Sequence, residues 1–387
     1  MLNRLNSLAL LREMLYVEPL LSMSNFLNVK KSGAEVDELL DLYGEFCSVL
    51  YDLRSDADLS EAIWDALVDN MNPYLRDVIE GKETSYLKAI LEKELDVLTE
   101  IGSVTSEEIF EGVTYEGYIP SFTSTKVDFK TRYNGMLDNI STTGYGIYAR
   151  HNIFKIVDGK LDPVKHPDPI RAEDLFCYEM QREKVVNNTR NFVEGRSFAD
   201  VLLYGDAGTG KSSTVKAASR MFFDKGVRLV ELPKSEINNL ADVIEYISNI
   251  PLKFIVFIDD ISFDADDDRI GSLKSVIEGA ASGGRKNVVI YATSNRRHMI
   301  KETFSARENE IHSSDTIAEQ MSLSERFGLR VLFDKPNKFT FLEIVKNLMK
   351  LRGIEMPEED MAVQAERFAT RSGGRSARVA RQFVDSL

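Results

Sequence analysis

The chain has 387 residues, a formal net charge of −14 and a sequence pI near 5.0. That length holds two or three domains with their own cores, and 43% hydrophobic with 28% charged residues excludes a disordered or fibrous chain. No apolar run reaches membrane-spanning length, and the two cysteines (Cys47, Cys177) and four histidines (His151, His166, His298, His312) lack the spacing of a disulfide framework or metal site, so a reducing cytoplasm is the expected compartment.

Leu5, Leu8, Leu11 and Leu15 open the chain at helical spacing, broken by Arg4, Arg12 and Glu13, which predicts an amphipathic helix rather than a leader or an anchor. Residues 1–110 read as an acidic helical N-terminal domain. Leu39, Leu40, Leu42, Phe46, Val49 and Leu50 form one stripe and Ile63, Trp64, Leu67 and Val68 another; Pro73 opens a further helix, and Tyr86 to Leu98 is strongly patterned. This stretch holds 22 acidic and 9 basic residues, whereas the remainder is nearly balanced at 40 and 39. It is a solvated helical surface, or else a docking face for a basic partner or one that repels nucleic acid.

Residues 111–167 change character. Tyrosines (115, 118, 133, 145, 148), short alternating runs and an Asp158-Gly159 turn predict a small β-containing connector, with prolines at 163, 167 and 169 as a linker. Strands and helices then alternate over 168–335. Strands are expected at Phe198–Tyr204, Arg228–Leu232, Phe254–Ile258, Val288–Ala292 and Val331–Phe333, and helices at Lys211–Phe223, Leu240–Ser248 and Ile270–Ala281. Doubly buried strands separated by helices imply a parallel sheet sandwiched by helices. Residues 336–387 read as a small helical lid.

The most informative stretch is Val201 to Ser213. An apolar run enters Gly205, Asp206, Ala207, Gly208, Thr209 and Gly210, closed by Lys211, Ser212 and Ser213, with a helix following. This is the G-x-x-x-x-G-K-[ST] phosphate loop between strand and helix. Its glycines turn backbone N–H groups around a polyphosphate, Lys211 places a charge at the β- and γ-phosphates, and the Ser212 hydroxyl can hold Mg²⁺. About fifty residues on, Phe254-Ile-Val-Phe-Ile ends in Asp259 and Asp260. Asp259 is the candidate Mg²⁺ ligand and Asp260 the group that polarises an attacking water.

The next strand ends in Asn295, whose amide can donate to the γ-phosphate and accept from the water. Arg326 follows in Ser324-Glu-Arg-Phe-Gly, and Arg375, Arg378 and Arg381 share a face near the C-terminus. Guanidinium groups there could stabilise charge on a transferring phosphoryl group. Phe263-Asp-Ala-Asp-Asp-Asp-Arg reads as a solvated acidic loop rather than a cation site, having no EF-hand spacing.

In order and type these elements, over about residues 168–387, resemble the AAA+ superfamily of ATPases. The resemblance implies an α/β P-loop fold with a helical lid, ATP and Mg²⁺ as ligands, and a ring or helical oligomer, hexameric in form. By the same likeness Asn295 is sensor 1, Arg326 an arginine finger reaching a neighbouring subunit, and Arg378 sensor 2, while Asp168–Arg171 with Ile170, and Leu175–Tyr178 with Tyr178, wrap adenine. More narrowly, the phosphate loop, Asp-Asp-Ile-Ser-Phe, Ala-Thr-Ser-Asn-Arg-Arg-His, Glu310-Ile-His and Ser324-Glu-Arg-Phe-Gly resemble a bacterial family catalogued as domain of unknown function 815. The family implies an ATPase and names no substrate.

One departure from the superfamily stands out: its Walker B element commonly ends Asp-Glu, whereas this chain has Asp259-Asp260, so slow or partner-gated hydrolysis is expected. After the second strand of the alternating region, Glu231-Leu-Pro-Lys-Ser lacks an aromatic–glycine pair, which disfavours processive threading. Three roles stay open: remodelling or assembly of a protein partner through the N-terminal domain, loading on nucleic acid, and an assembly switch that hydrolyses slowly. The first leads, because the chain has no basic tract with interleaved aromatics.

Overall fold

The computed structural model describes every residue except 83, 158, 168–174, 262–268, 282–285 and 296–321. The described residues divide into two compact units, Met1–Arg150 and His151–Leu387.

In the first unit, short polar side chains start the helices and apolar stripes close them into one core. Asp58 accepts from the Glu61 N–H at 2.9 Å to begin Leu59–Asp69, and Asn72 accepts from the Leu75 N–H at 2.9 Å to begin Pro73–Ile79. Thr105 and Glu108 form a reciprocal capping box ahead of Ser106–Phe110. The core takes Leu39, Tyr43, Phe46 and Leu50 from helix Val36–Leu53, the stripe Ile63, Trp64, Leu67 and Val68, and Leu91, Leu95 and Leu98 from Ser85–Gly102. Tyr43 packs against Phe26 and Phe110 with ring centroids 5.3 and 4.9 Å away.

Two expectations need correcting. The opening leucines are buried as expected but do not lie on one helix: Leu2–Leu5 is followed by irregular chain and a 3₁₀ turn, Arg12–Tyr16. The cause is non-local. The buried Glu94 carboxylate accepts from the backbone N–H groups of Ala9, Leu10 and Leu11 at 2.9, 3.0 and 2.8 Å, giving this backbone an acceptor outside any helix. Nor do residues 111–167 form a separate connector. Phe122, Phe129, Tyr133 and Met136 belong to the N-terminal core, the last three on helix Phe129–Asp138, whereas 153–163 supplies two strands to the second unit.

The second unit is built on a seven-stranded sheet of order β2-β1-β4-β5-β6-β3-β7. The strands are β1 (Ile153–Val157), β2 (Lys160–Pro163), β3 (Val201–Gly205), β4 (Val227–Glu231), β5 (Lys253–Ile258), β6 (Val288–Ser294) and β7 (Leu329–Phe333). β2 runs antiparallel to β1 at one edge, with Val157 opposite Lys160, and the other pairings are parallel. Alternate residues face opposite sides. Leu203, Leu229, Ile255, Phe257, Val289 and Val331 share a core with Val185 and Phe192 of helix Glu179–Val193 and Val215 of helix Lys211–Met221. Their neighbours Leu202, Val230, Val256 and Ile290 are also buried, which requires cover on the other face; helix Leu240–Ser248 packs against β6. Helices Lys338–Leu351, Glu358–Arg371 and Ala377–Asp385 follow, packed around Phe341, Val345, Leu348, Ala365 and Phe383. The fold is therefore an α/β sheet, parallel but for its β2 edge, with helices and a C-terminal helical subdomain, preceded by a helical region.

Glu94→Ala should lower the stability of the N-terminal unit by about 2–4 kcal/mol, and Glu94→Gln by roughly half of that, because three partly or fully buried N–H groups lose a charged acceptor. Trp64 is the only tryptophan in the chain and lies in this core, so its fluorescence during denaturant unfolding reads the effect. An unshifted midpoint would show that the carboxylate does not hold this backbone.

Candidate functional site

In parallel sheets ligands gather at the carboxyl ends of the strands. Here β6 lies between β3 and β5, so the chain that leaves β6 falls between the loop after β3 and the acids after β5. That topology assembles the site.

The loop after β3 depends on two close approaches. Gly205 has φ of +128°, and a Cβ there would overlap the Phe333 carbonyl group of β7. The Asp206 N–H instead bonds that carbonyl oxygen at 3.1 Å, and the Asp206 carboxylate accepts from the Lys335 N–H at 2.7 Å. Gly208 has φ of +73°, and a Cβ there would press on Ser376 Oγ at 3.1 Å and on Arg378 Cβ at 3.2 Å. The Arg378 N–H bonds the Gly208 carbonyl at 3.1 Å, so the last helix is fastened to the loop by backbone. Thr209 Oγ1 donates to the Asp206 carbonyl at 2.9 Å. Gly210 caps helix Lys211–Met221, whose first N–H groups have no intrahelical acceptor.

Lys211 is 5% exposed, and its ammonium donates to the carbonyls of Gly205 and Asp206 at 3.1 and 2.6 Å. Burial pushes its pKa down to about 8; the carboxylates of Asp206, Asp260 and Asp259 oppose the shift and Arg378 adds to it.

Ser212 Oγ donates to Asp259 Oδ1 at 2.7 Å, joining the loop after β3 to the acid after β5. Thr293 of β6 sits between the two acids. Its hydroxyl donates to Asp259 Oδ1 at 2.5 Å and accepts from the Asp260 N–H at 2.8 Å. Asp260 holds a left-handed φ of +53°, a strained conformation for a residue with a Cβ. Its carboxylate accepts from Asn295 Nδ2 at 2.9 Å and lies 3.8 Å from Lys234 Nζ.

Lys211, Ser212, Asp259, Asp260 and Asn295 line a cavity of about 500 Å³, with Tyr178, Cys177, Arg182 and Phe333 on one part of the wall and Ile344, Leu348, Arg378 and Arg381 of the C-terminal helices on another. Tyr178 has φ of +59°; its hydroxyl donates to the Asp334 carbonyl at 2.6 Å and its ring lies 5.4 Å from that of Phe333. Burial pushes its phenol pKa well above the usual range.

The structure brings most expected residues together: Gly208, Thr209, Gly210, Lys211, Ser212, Ser213, Asp259, Asp260, Asn295, Arg378 and Tyr178 line this cavity. Arg326 does not. It ends the helical turn 322–326, pairs with Glu278 on helix Arg269–Ala281, and buries an Nε that has no hydrogen-bond partner. Arg375 is held by both carboxylate oxygens of Glu366 at 2.8 and 2.6 Å. Ile170 and the rest of 168–174, the acidic run 263–268, and His298 and Glu310–His312 lie outside the described residues.

Sequence reasoning missed Thr293, Lys234 and Arg182. Threonine in a strand reads as an ordinary β-former, and the other two are single cations in loops or helices. Only the pattern of a hydroxyl next to the strand end, at the level of Asp259, could have marked Thr293.

Among solved structures the chain is similar to a point variant of RuvB from Thermotoga maritima, at 16% identity and TM-score 0.38, covering 56% of this chain and 63% of that one. It is also similar to the FIGL-1 AAA domain in complex with ADP, at 16% identity and TM-score 0.40, covering 56% and 72%. The chain thus spans under two thirds of that RuvB chain. No curated protein matches it. The family model described as "Protein of unknown function (DUF815)" matches residues 149–387, and the chain belongs to that family.

Proposed function

We propose that this chain is a Mg²⁺-dependent ATPase of the AAA+ type that couples hydrolysis, between subunits, to remodelling or assembly of a protein partner. The observation that carries the reading is the Ser212–Asp259 hydrogen bond at 2.7 Å beside the buried Lys211 ammonium. A hydroxyl and a carboxylate at that spacing, next to a glycine loop with no room for a Cβ at Gly205, form the donor set of a phosphate-bound Mg²⁺. Among the described residues no cluster of three or more His, Cys, Asp or Glu could hold a metal alone, which suits an ion that takes its remaining ligands from phosphate and water.

In this reading, loop N–H groups and Lys211 bind the β- and γ-phosphates, and Tyr178 and Phe333 pack beside the base. Bound Mg²⁺, held by Ser212 Oγ and Asp259, supplies charge neutralisation on the phosphate oxygens. Asp260 accepts a proton from a water whose oxygen attacks the γ-phosphorus. The bond to the β-phosphate oxygen breaks, and ADP and inorganic phosphate leave. Asn295 keeps the Asp260 carboxylate oriented through its Nδ2, and Thr293 holds both acids in register. Arg326, absent from this chain's own cavity, is assigned to a neighbouring subunit's γ-phosphate after release from Glu278. The N-terminal unit, with 26 acidic and 13 basic residues over 1–150, captures the partner.

One observation favours a slower, gated variant. Asp260 is engaged by Asn295 on one oxygen and approached by Lys234 on the other, so two partners compete with water for a carboxylate whose side chain is 47% exposed.

Lys211→Ala should abolish binding of a fluorescent ATP analogue by the full chain, a loss of about a hundredfold or more in affinity; parental affinity in that variant would overturn the assignment. Asp260→Asn should keep ATP affinity and lower steady-state phosphate release by about 10²–10⁴-fold, the range for a positioned acid–base group. Undiminished turnover would remove Asp260 from the chemistry. Parent mixed with Arg326→Ala should lose ATPase activity faster than dilution predicts, because each finger serves another subunit's site; proportional loss would place Arg326 outside the shared site.

A further inference from the structure

The N-terminal unit holds a second cavity, of about 520 Å³. Tyr16, Val17, Leu53 and Met71 line it and remain 67%, 48%, 50% and 41% exposed. Single exposed apolar residues are normal, but four gathered around one opening mark a contact surface.

The polar part of the lining is acidic, with Glu13, Glu18, Asp65 and Asp69 beside Arg150; Arg54, outside the lining, pairs with Asp65 at 3.0 Å and leaves Glu13 and Glu18 without an ion pair among the described residues. Arg150 is already engaged, by the Asp65 carbonyl and by Asp69 Oδ2 at 2.8 Å. Glu13 is exposed at the rim.

We propose that this cavity binds a partner-protein segment that carries an Arg or Lys side chain flanked by apolar residues. The aliphatic stem of such a side chain packs on Leu53, Val17 and Met71 while its cationic head reaches Glu13 and Glu18. Other occupants fit less well. Nucleic acid and anionic lipid meet a unit with 26 acidic and 13 basic residues. A bare divalent cation finds no cluster of three His, Cys, Asp or Glu among the described residues. The inference rests on the proposed partner-capturing role of this unit and names the chemistry it selects; it does not depend on ATP hydrolysis.

The test is selection of a phage-displayed random dodecapeptide library on the immobilised full chain, followed by titration of the selected peptides, synthesised with a fluorophore. Selected peptides should share a basic residue beside Leu, Ile, Met or Phe. Replacing that arginine by citrulline, or using Glu13→Lys or Met71→Lys protein, should each weaken binding tenfold or more. Both protein changes are at exposed positions, and thermal melting checks their folding. Absence of a basic–apolar consensus, or undiminished binding to the folded variants, overturns the proposal. ATP turnover measured on the same preparation separates the two readings: peptide capture without turnover leaves this proposal standing and sinks the ATPase, and turnover without capture does the reverse.

Discussion

The site depends on one carboxylate oxygen. Asp259 Oδ1 accepts from Ser212 Oγ and Thr293 Oγ1, and so ties the loop after β3, the acid after β5 and the strand between them into one unit. A carboxylate oxygen that takes two hydroxyl donors is held in orientation as well as charge. The sheet makes this possible: Ile258 pairs with Ala292 and Tyr204 with Ser294, so the three strand ends finish within a residue or two of one another. A register slip at β6 would move Thr293 to the opposite face and separate the two acids from the loop.

The central strands β3 to β6 were legible because they are buried on both faces and read as continuous apolar runs bounded by turn residues. Observed bounds differ from expectation by a few residues, as at Val201–Gly205 and Val288–Ser294, whose carboxyl ends reach the residues that turn into the site. The loop, Asp259, Asp260 and Asn295 were legible because their chemistry dictates both residue type and spacing. What the sequence hid was long-range. Glu94 looks like any charge on an amphipathic helix, yet it is buried and takes three N–H groups from residues more than eighty positions away. That contact, and not local propensity, breaks the leucine-patterned opening segment. The tyrosine-rich stretch after 110 misled for a related reason: aromatic residues suit strands on a propensity scale, but Tyr133 here fills a helical core, its hydroxyl accepting from Asn72 Nδ2 at 2.8 Å.

Charge is divided between the units in a way that composition alone obscures. Residues 1–150 carry 26 acidic and 13 basic side chains, and residues 151–387 carry 36 and 35. The excess negative charge is thus kept on the unit that holds no phosphate loop, and the near-neutral unit can bring cations toward one cavity without a strongly opposing field. Within that cavity Lys211, Arg182, Arg378 and Arg381 face Asp259 and Asp260, a balance that suits an anionic ligand carried with a cation.

The C-terminal helices bear on the loop through backbone as much as through charge. The Arg378 N–H meets the Gly208 carbonyl, and Ser376, whose hydroxyl caps the last helix by accepting from the Val379 N–H at 3.1 Å, stands where a Gly208 side chain would be. Arg375 cannot share this role while Glu366 holds it, so among the three arginines of the motif only 378 and 381 line the cavity. Spacing of three residues put all three on one helical face, but Arg375 precedes the Ser376 cap and lies outside the helix that begins at Ala377. The cap therefore decides which guanidinium groups line the cavity: residues beyond it project from a helix fastened to the loop, and the one before it is free to pair elsewhere.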